Sequence, residues 1–151
     1  MDTMEKNMDE NAKRKLLEGL QKDLRAEMTA IHYYLYCSVV LHGLARTTLK
    51  PLFLKEAKDE LNHAEYLAEK ICFLGGEPVM DVDPISPTRD PRVMLETMKK
   101  AEENTIQSYV ERIEQAENLG LWELKIQLED MIKEETQHLE ETSRLLADPN
   151  L

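Results

Sequence analysis

The sequence contains two copies of a Glu-x-x-His motif, at Glu60–His63 and at Glu135–His138. A single glutamate precedes each copy by the same interval, Glu27 before the first and Glu102 before the second. Because helical residues three apart lie on one face, each motif can direct a carboxylate and an imidazole to one point. Two lone glutamates and two such motifs, each on its own helix, form the ligand pattern of a two-metal site in a four-helix bundle.

These acids lie within apolar stripes and are therefore predicted to point into a core. Glu27 lies between Leu24 and Ile31 in the helical pattern, although Lys99 interrupts the stripe that includes Glu102. Four buried carboxylates are costly unless cations neutralise them. Two divalent ions carry the matching charge, and mixed carboxylate and imidazole ligands suit iron or manganese, with zinc as a competitor. The alternative is that these are ordinary surface acids of a Glu-rich chain.

Length and composition are those of one helical domain. A chain of 151 residues suits a single domain over residues 1–151, and an aromatic content of 5% favours helix over sheet. The net charge of −11 argues against nucleic acid or an anionic membrane as a partner and suits a protein that attracts cations. A polar N-terminus and the lack of a ~20-residue apolar run predict a cytoplasmic protein.

Apolar residues at three- and four-residue steps predict four helices. The helices are predicted to begin at about Glu10, after Thr47 or Thr48, at about Pro91 or Arg92, and at Leu121. They are predicted to end near Gly43, Gly75-Gly76, Asn118–Gly120 and Asp148-Pro149. Glycine is a common residue at helix ends because it adopts positive φ without strain. Pro51 fits the first turn of the second helix, and residues 1–9 are expected to be frayed.

Residues 75–91 are predicted to form a long crossover, since they contain four Pro, two Gly and three Asp. Such a segment can reach ~55 Å when extended. A helix of ~27 residues is only ~40 Å long. The connector can therefore cross the bundle lengthwise and leave helices two and three parallel, while the short links form antiparallel hairpins.

The hairpins predict which residues share a level in the bundle. Glu27 and Glu60 lie almost equally far from the turn at Gly43, and the second hairpin repeats this arrangement. Cys37 and Cys72 lie beyond these acids on helices that run in opposite directions. We therefore expect them ~30 Å apart, which excludes a disulfide within the chain.

Other polar residues accompany the motifs. Tyr34 and Tyr109 each lie two turns after a lone glutamate; Tyr34 is expected beside the metals as a hydrogen-bond donor or electron source, and Tyr109 in core packing. Asp59 and Glu134 each lie one turn before a motif histidine and either orient the imidazoles or are solvated. Two further histidines have no counterpart and are expected at the surface, namely His32 and His42.

The sequence resembles bacterioferritin, a member of the ferritin superfamily, over roughly residues 16–147. The segments that carry the resemblance are Glu27–Tyr34, Glu56–Glu65, Phe73–Pro78 and Glu134–His138. The resemblance implies a ferritin-like bundle in which each chain binds two iron ions. The implied ligands are Glu27 with His63 for one ion, Glu102 with His138 for the other, and Glu60 with Glu135 as bridges. It also implies that Tyr34 lies beside the centre.

The sequence departs from the bacterioferritin pattern at three places. Leu61 replaces the haem-ligating methionine, so haem is not expected. Glu56 and Asp59 match acids of a further iron position on the inner surface, but Lys55 replaces its histidine. The sequence ends at Leu151, without the fifth helix of the twenty-four-subunit cage. This combination resembles Dps-like proteins that keep a bacterioferritin-type site in a twelve-subunit shell.

The leading hypothesis is therefore a ferroxidase that stores or detoxifies iron, oxidising Fe(II) with O2 or hydrogen peroxide in a homo-oligomeric shell. A second hypothesis is a di-iron peroxidase of the rubrerythrin type, but the two Cys-x-x-Cys pairs and the extra Glu ligand of that class are missing. A third is a structural or interaction bundle without metal.

Overall fold

The computed structural model describes residues 3–151, with side chains from residue 9 onward. It contains four helices: α1 (Thr3–Val40), α2 (Leu44–Phe73), α3 (Pro91–Asn118) and α4 (Trp122–Leu146). The described residues contain no strand, which confirms the predicted all-α class. None of the helices in this part of the chain is long and apolar enough to span a membrane.

The start of α1 differs from the prediction. The helix begins at Thr3 rather than near Glu10. The residues between these positions are mostly polar, but they include no glycine or proline and so do not oppose helix formation. Residues 1–2, which belong to the segment expected to be frayed, lie outside the described residues.

The predicted N-cap of α2 at Thr47 or Thr48 is wrong, because the helix already begins at Leu44. Gly43 has a φ of 70°, and this left-handed conformation reverses the chain directly after α1. Arg46, in the first turn of α2, donates a hydrogen bond to the carbonyl of Leu41 at 2.8 Å. As a result, Pro51 lies inside the helix instead of in its first turn.

The connector between α2 and α3 runs along α1. The Arg25 guanidinium pairs with Asp83 at 2.7 Å, and the Thr88 amide donates to the Tyr36 hydroxyl at 3.0 Å. The segment thus follows α1 towards its C-terminal end, where Asp90 caps α3. α2 and α3 both run antiparallel to α1 and hence parallel to each other, which confirms the predicted crossover.

The core consists of two apolar clusters on either side of a polar layer. The first includes Leu20, Leu24, Leu67, Leu128 and Met131. The second includes Tyr34, Cys37, Phe53, Met94 and Met98. Both cysteines are free, as predicted, with Cys37 buried and Cys72 exposed. On α1, α2 and α3, the residues between the two clusters include the glutamates singled out from the sequence.

Candidate metal centre

The structure brings the six motif residues together in the polar layer of the bundle. Each helix contributes to this layer, and each of the six side chains is between 1% and 6% exposed. The residues are Glu27 of α1, Glu60 and His63 of α2, Glu102 of α3, and Glu135 and His138 of α4. Four of these side chains are carboxylates, so the layer concentrates negative charge inside an apolar bundle.

Their ligand atoms form three overlapping groups, within each of which all atoms lie within 4.8 Å of one another. The groups are Glu27, Glu60, His63 and Glu135; then Glu102, Glu135 and His138; then Glu56, Glu60 and His138. Glu135 belongs to the first two groups, and Glu60 to the first and third. This overlap gives two adjacent positions, one beside each imidazole, that share carboxylates.

Each imidazole directs Nδ1 into the layer and Nε2 towards an acid outside it. His63 Nε2 lies 2.7 Å from Glu134, and His138 Nε2 lies 3.0 Å from Asp59. Of the two alternatives for these acids, the structure thus shows contact with the imidazoles. The pairing crosses between α2 and α4, because side chains at one level of two antiparallel helices reach across the gap. Such contacts fix the tautomer and the orientation of a histidine ligand.

Most ligand atoms of this layer are buried and have no hydrogen-bond partner outside the layer among the described residues, although His138 Nδ1 lies 2.6 Å from Glu56 Oε2 and His63 Nδ1 lies 3.2 Å from Glu135 Oε1. They are Glu27 Oε2, Glu56 Oε2, Glu60 Oε1, His63 Nδ1, both carboxylate oxygens of Glu102, Glu135 Oε1 and His138 Nδ1. An unpartnered buried polar atom destabilises a fold, and a buried charge does so more strongly. Bound cations would satisfy all of these atoms, so the residues present fit a pair of divalent metal ions.

The electrostatics of the layer favour protonation when no cation is bound. Burial and then the charge of Glu60 hold the pKa of Glu27 well above its usual range. Burial and the Glu56 charge raise the pKa of Glu102 to about 9. Burial lowers the pKa of His63, but Glu135 and Glu27 outweigh it and raise that pKa to about 9. Cation binding must therefore displace protons from these side chains.

Comparison with known proteins agrees with this geometry. The family model described as the ferritin-like domain matches residues 17–151. This chain belongs to the ferritin-like family. A bacterioferritin from Desulfovibrio desulfuricans is 30% identical over 131 residues, which are 86% of this chain and 73% of that protein. The predicted resemblance is therefore confirmed.

Solved structures show the same fold. A ferritin-like, diiron-carboxylate protein from Bacillus anthracis is 45% identical, with a TM-score of 0.87, covering 89% of this chain and 97% of that chain. A Dps protein from Vibrio cholerae O1 superposes with a TM-score of 0.84 over 90% of this chain and 91% of its own. At 16% identity, the second match supports the fold alone.

Two tyrosines of the ferritin-like protein line the centre in different ways. Tyr109 donates a hydrogen bond from its hydroxyl to Glu27, so its predicted role in packing alone is incomplete. Burial, together with the charges of Glu60 and Glu102, raises the pKa of Tyr34 well above its usual range. The charges of the centre therefore act on Tyr34, and its role as a hydrogen-bond donor or electron source beside the metals stays a prediction. The sequence signal for Tyr109 was its position on the face of α3 that carries Glu102.

Glu56 also reaches the layer, on the side of His138. Its carboxylate is 2% exposed and lies 2.6 Å from His138 Nδ1. A cavity of about 460 Å3 opens here between α2 and α4, lined by Asp59 and Glu134 among others. Lys55 stands at this opening and pairs with Asp59 at 3.3 Å. The cavity therefore reaches His138 of the centre and has mostly acidic charged side chains in its lining.

Sequence reasoning did not identify a buried ion pair near the centre, between Asp23 of α1 and Arg112 of α3. The Arg112 Nε donates to Asp23 at 2.9 Å, and both side chains are nearly inaccessible. Ser108 donates a further hydrogen bond to Asp23. The sequence did contain a signal for this pair, because Asp23 and Arg112 each occupy a position in the apolar stripe of their helix.

Proposed function

We propose that this ferritin-like protein is a ferroxidase that stores or detoxifies iron, oxidising Fe(II) with O2 or hydrogen peroxide. The observation that carries the proposal is the set of eight buried carboxylate and imidazole atoms that face one another in one layer and have no hydrogen-bond partner outside it among the described residues. Similarity to a bacterioferritin and to a diiron-carboxylate protein supports iron as the metal. Carboxylate and imidazole ligands also accept manganese or zinc, which are expected substitutes.

In this proposal the six residues hold two Fe(II) ions as substrate. Glu27 and His63 hold one ion, Glu102 and His138 hold the other, and the two remaining glutamates bridge them. Asp59 and Glu134 keep the imidazole Nδ1 atoms turned inwards by accepting from Nε2. The buried layer excludes bulk water, which strengthens each of these charge interactions.

The electron balance of the reaction is simple. Each substrate Fe(II) gives up one electron, and O2 takes both electrons with two protons to form hydrogen peroxide. When hydrogen peroxide is the oxidant, two electrons and two protons yield two waters. Bound Fe(II) supplies the reducing electrons and open coordination positions for the oxidant. The protein residues place the two ions close together and hold protons that metal binding displaces.

Haem is not part of the proposal. Leu61 is half exposed on α2 and has no donor atom, so it cannot ligate a haem iron. The cytoplasmic location stays a prediction, as does the twelve-subunit shell.

Two alternative functions remain to be compared with the proposal. A metal-free structural bundle leaves the unpartnered buried atoms unexplained, and the Fe(II) oxidation assay below separates a rubrerythrin-type peroxidase from a ferroxidase.

The test is Fe(II) oxidation by anaerobically loaded protein mixed with O2 or with hydrogen peroxide. We expect a fast phase that saturates at two Fe(II) per chain. Glu135→Gln should reduce its rate by ~100-fold or more, since even outer-shell changes cost 10–100-fold in affinity or activity. Glu140→Gln, the same change at an exposed position of α4, should match the wild type.

Equal rates for Glu135→Gln and the wild type would contradict the proposal. Reaction with hydrogen peroxide and none with O2 would identify peroxide as the oxidant, and Fe(II) oxidation that continues beyond two ions per chain would favour iron storage over a peroxidase.

A further inference from the structure

The two imidazoles of the centre differ in the acids that orient them. Asp59 Oδ2 contacts His138 Nε2 at 3.0 Å and also the Lys55 ammonium at 3.3 Å. Glu134 contacts His63 Nε2 at 2.7 Å. Among the described side chains, no lysine or arginine lies within ion-pair distance of Glu134. One orienting carboxylate is therefore shared with a cation, and the other is not.

This sharing has a chemical consequence for His138. A carboxylate that also pairs with an ammonium is a weaker acceptor for the imidazole N–H. The imidazole then gains less electron density at Nδ1, the atom that faces the metal, because outer-shell acceptors raise the basicity of a histidine ligand. The Lys55 charge therefore opposes cation binding on the His138 side of the centre.

We propose that Lys55 is a positioning residue that acts through Asp59 on His138, making the Glu102–His138 metal position the weaker of the two. The inference rests on the metal centre of the proposed function, but not on its redox chemistry. It predicts that the first ion to bind occupies the Glu27–His63 position.

The contacts of the Nδ1 atoms point to the same order of filling. His63 Nδ1 lies 3.2 Å from Glu135 and 3.5 Å from Glu60, both predicted ligands. The nearest carboxylate to His138 Nδ1 is instead Glu56, at 2.6 Å. The bridging acids Glu60 and Glu135 lie farther from this nitrogen, at 3.6 and 3.9 Å. A metal ion at this second position must therefore displace Glu56 from the imidazole, whereas the carboxylates nearest to His63 Nδ1 are predicted ligands.

Co(II) is the probe for the test, because it binds mixed carboxylate and imidazole ligands and has visible absorption. Full-length metal-free protein titrated with Co(II) should show two binding steps of different affinity. Crystals with one Co(II) per chain should show anomalous density beside His63. First occupancy beside His138, or two equal steps, would overturn the inference.

Variants test the role of Lys55 itself. Lys55→Met should raise the affinity of the weaker step by about 2- to 5-fold, the range expected for an exposed ion pair. Lys55→Arg keeps the charge and should retain the wild-type isotherm. Lys58→Met is the matched control, since it removes the same charge from an exposed position of α2. Equal effects of the two methionine variants would contradict a specific role.

A double-mutant cycle separates action through Asp59 from direct repulsion. In an Asp59→Asn background, the effect of Lys55→Met on the weaker step should vanish, and its persistence would refute the positioning role. Ordered Co(II) binding without Fe(II) oxidation would support this inference while contradicting the proposed function. Absence of all Co(II) binding would contradict both.

Discussion

At the scale of single residues, the buried ligands of the centre lower the stability of the metal-free fold. Glu102 is 1% exposed, and neither of its carboxylate oxygens has a hydrogen-bond partner within the described part of the chain. Burial and the charges of Glu56 and Glu135 outweigh the favourable charge of His138, so without metal the folded protein favours the protonated acid. At pH values where the unfolded chain would release these protons, the ligand residues should therefore lower the free energy of unfolding of the metal-free protein.

We predict that the metal-free protein loses stability as the pH rises from about 5 to 9. The folded pKa of Glu102 is about 9, against 4.5 in an unfolded chain, so between these values the folded state holds the extra proton. His138, with a folded pKa of about 9 against 6.5, adds a loss of the same sign over the upper part of this window. Urea unfolding in the presence of a chelator measures this slope.

Glu102→Gln tests the origin of that slope. The amide cannot ionise, so the variant should unfold at higher urea than the wild type at pH 8 without metal, with a shallower pH slope. Metal binding should weaken at the same time. Glu103→Gln is the control at the next, part-exposed position. An unchanged slope in Glu102→Gln would show that this carboxyl is not the source.

Sequence reasoning predicted the six motif residues because period and spacing place side chains on a helix face. It did not predict the hydrogen bond from Tyr109 to Glu27, or the crossed pairing of Asp59 with His138. Those contacts depend on the relative level of two helices to within one turn. A single chain's periodicity does not fix that level.

At the scale of elements, α1 and α3 are joined by the buried pair of Asp23 and Arg112. Gly19 makes this possible, because a Cβ at that position would overlap the Arg112 guanidinium. The glycine thus lies inside the continuous helix α1, where it leaves room for the Arg112 guanidinium, rather than at a turn. A buried ion pair is strongly destabilising when one partner is removed, whereas replacing both partners with apolar groups is often tolerated.

We predict that Arg112→Met destabilises the protein by about 3–5 kcal/mol, because it leaves Asp23 buried and unpaired. Combining it with Asp23→Leu should recover most of that loss in urea unfolding. Arg14→Met, the same change at an exposed position of α1, is the control. A single variant within about 0.5 kcal/mol of the wild type would contradict the account, since that is the range of neutral surface substitutions.

The helix ends show which residue types were sufficient to predict where a helix begins or ends. Gly43, Gly75 and Gly120 all adopt positive φ near the predicted ends, as their residue type suggested. The start of α2 was misplaced because Pro51 was read as a first-turn residue. The helix tolerates Pro51 in its interior, where tertiary packing outweighs the lost hydrogen bond.

At the scale of the whole molecule, the fold leaves apolar side chains on its outside. Leu35, Val39 and Leu61 are each more than half exposed, and Phe73 is 82% exposed. Exposed apolar side chains that cluster are typical of protein–protein contacts. The net charge of −11 per chain favours the attraction of cations such as Fe(II) to its surface.

The last prediction concerns assembly. Stored ferric mineral needs enclosure, and closed point-group symmetry provides it. Because the sequence resembles Dps-like proteins that keep a bacterioferritin-type site, we expect twelve chains rather than the twenty-four of larger cages. Light scattering or mass photometry of the iron-loaded protein should give a mass near twelve times 17.5 kDa. Leu61→Glu, which places a charge at one of the exposed apolar positions, should shift the mass towards smaller species, whereas Lys58→Glu on the same helix serves as the control. A wild-type mass of only two chains at micromolar concentration would contradict the shell and the storage role, and it would leave the proposed oxidation of Fe(II) intact.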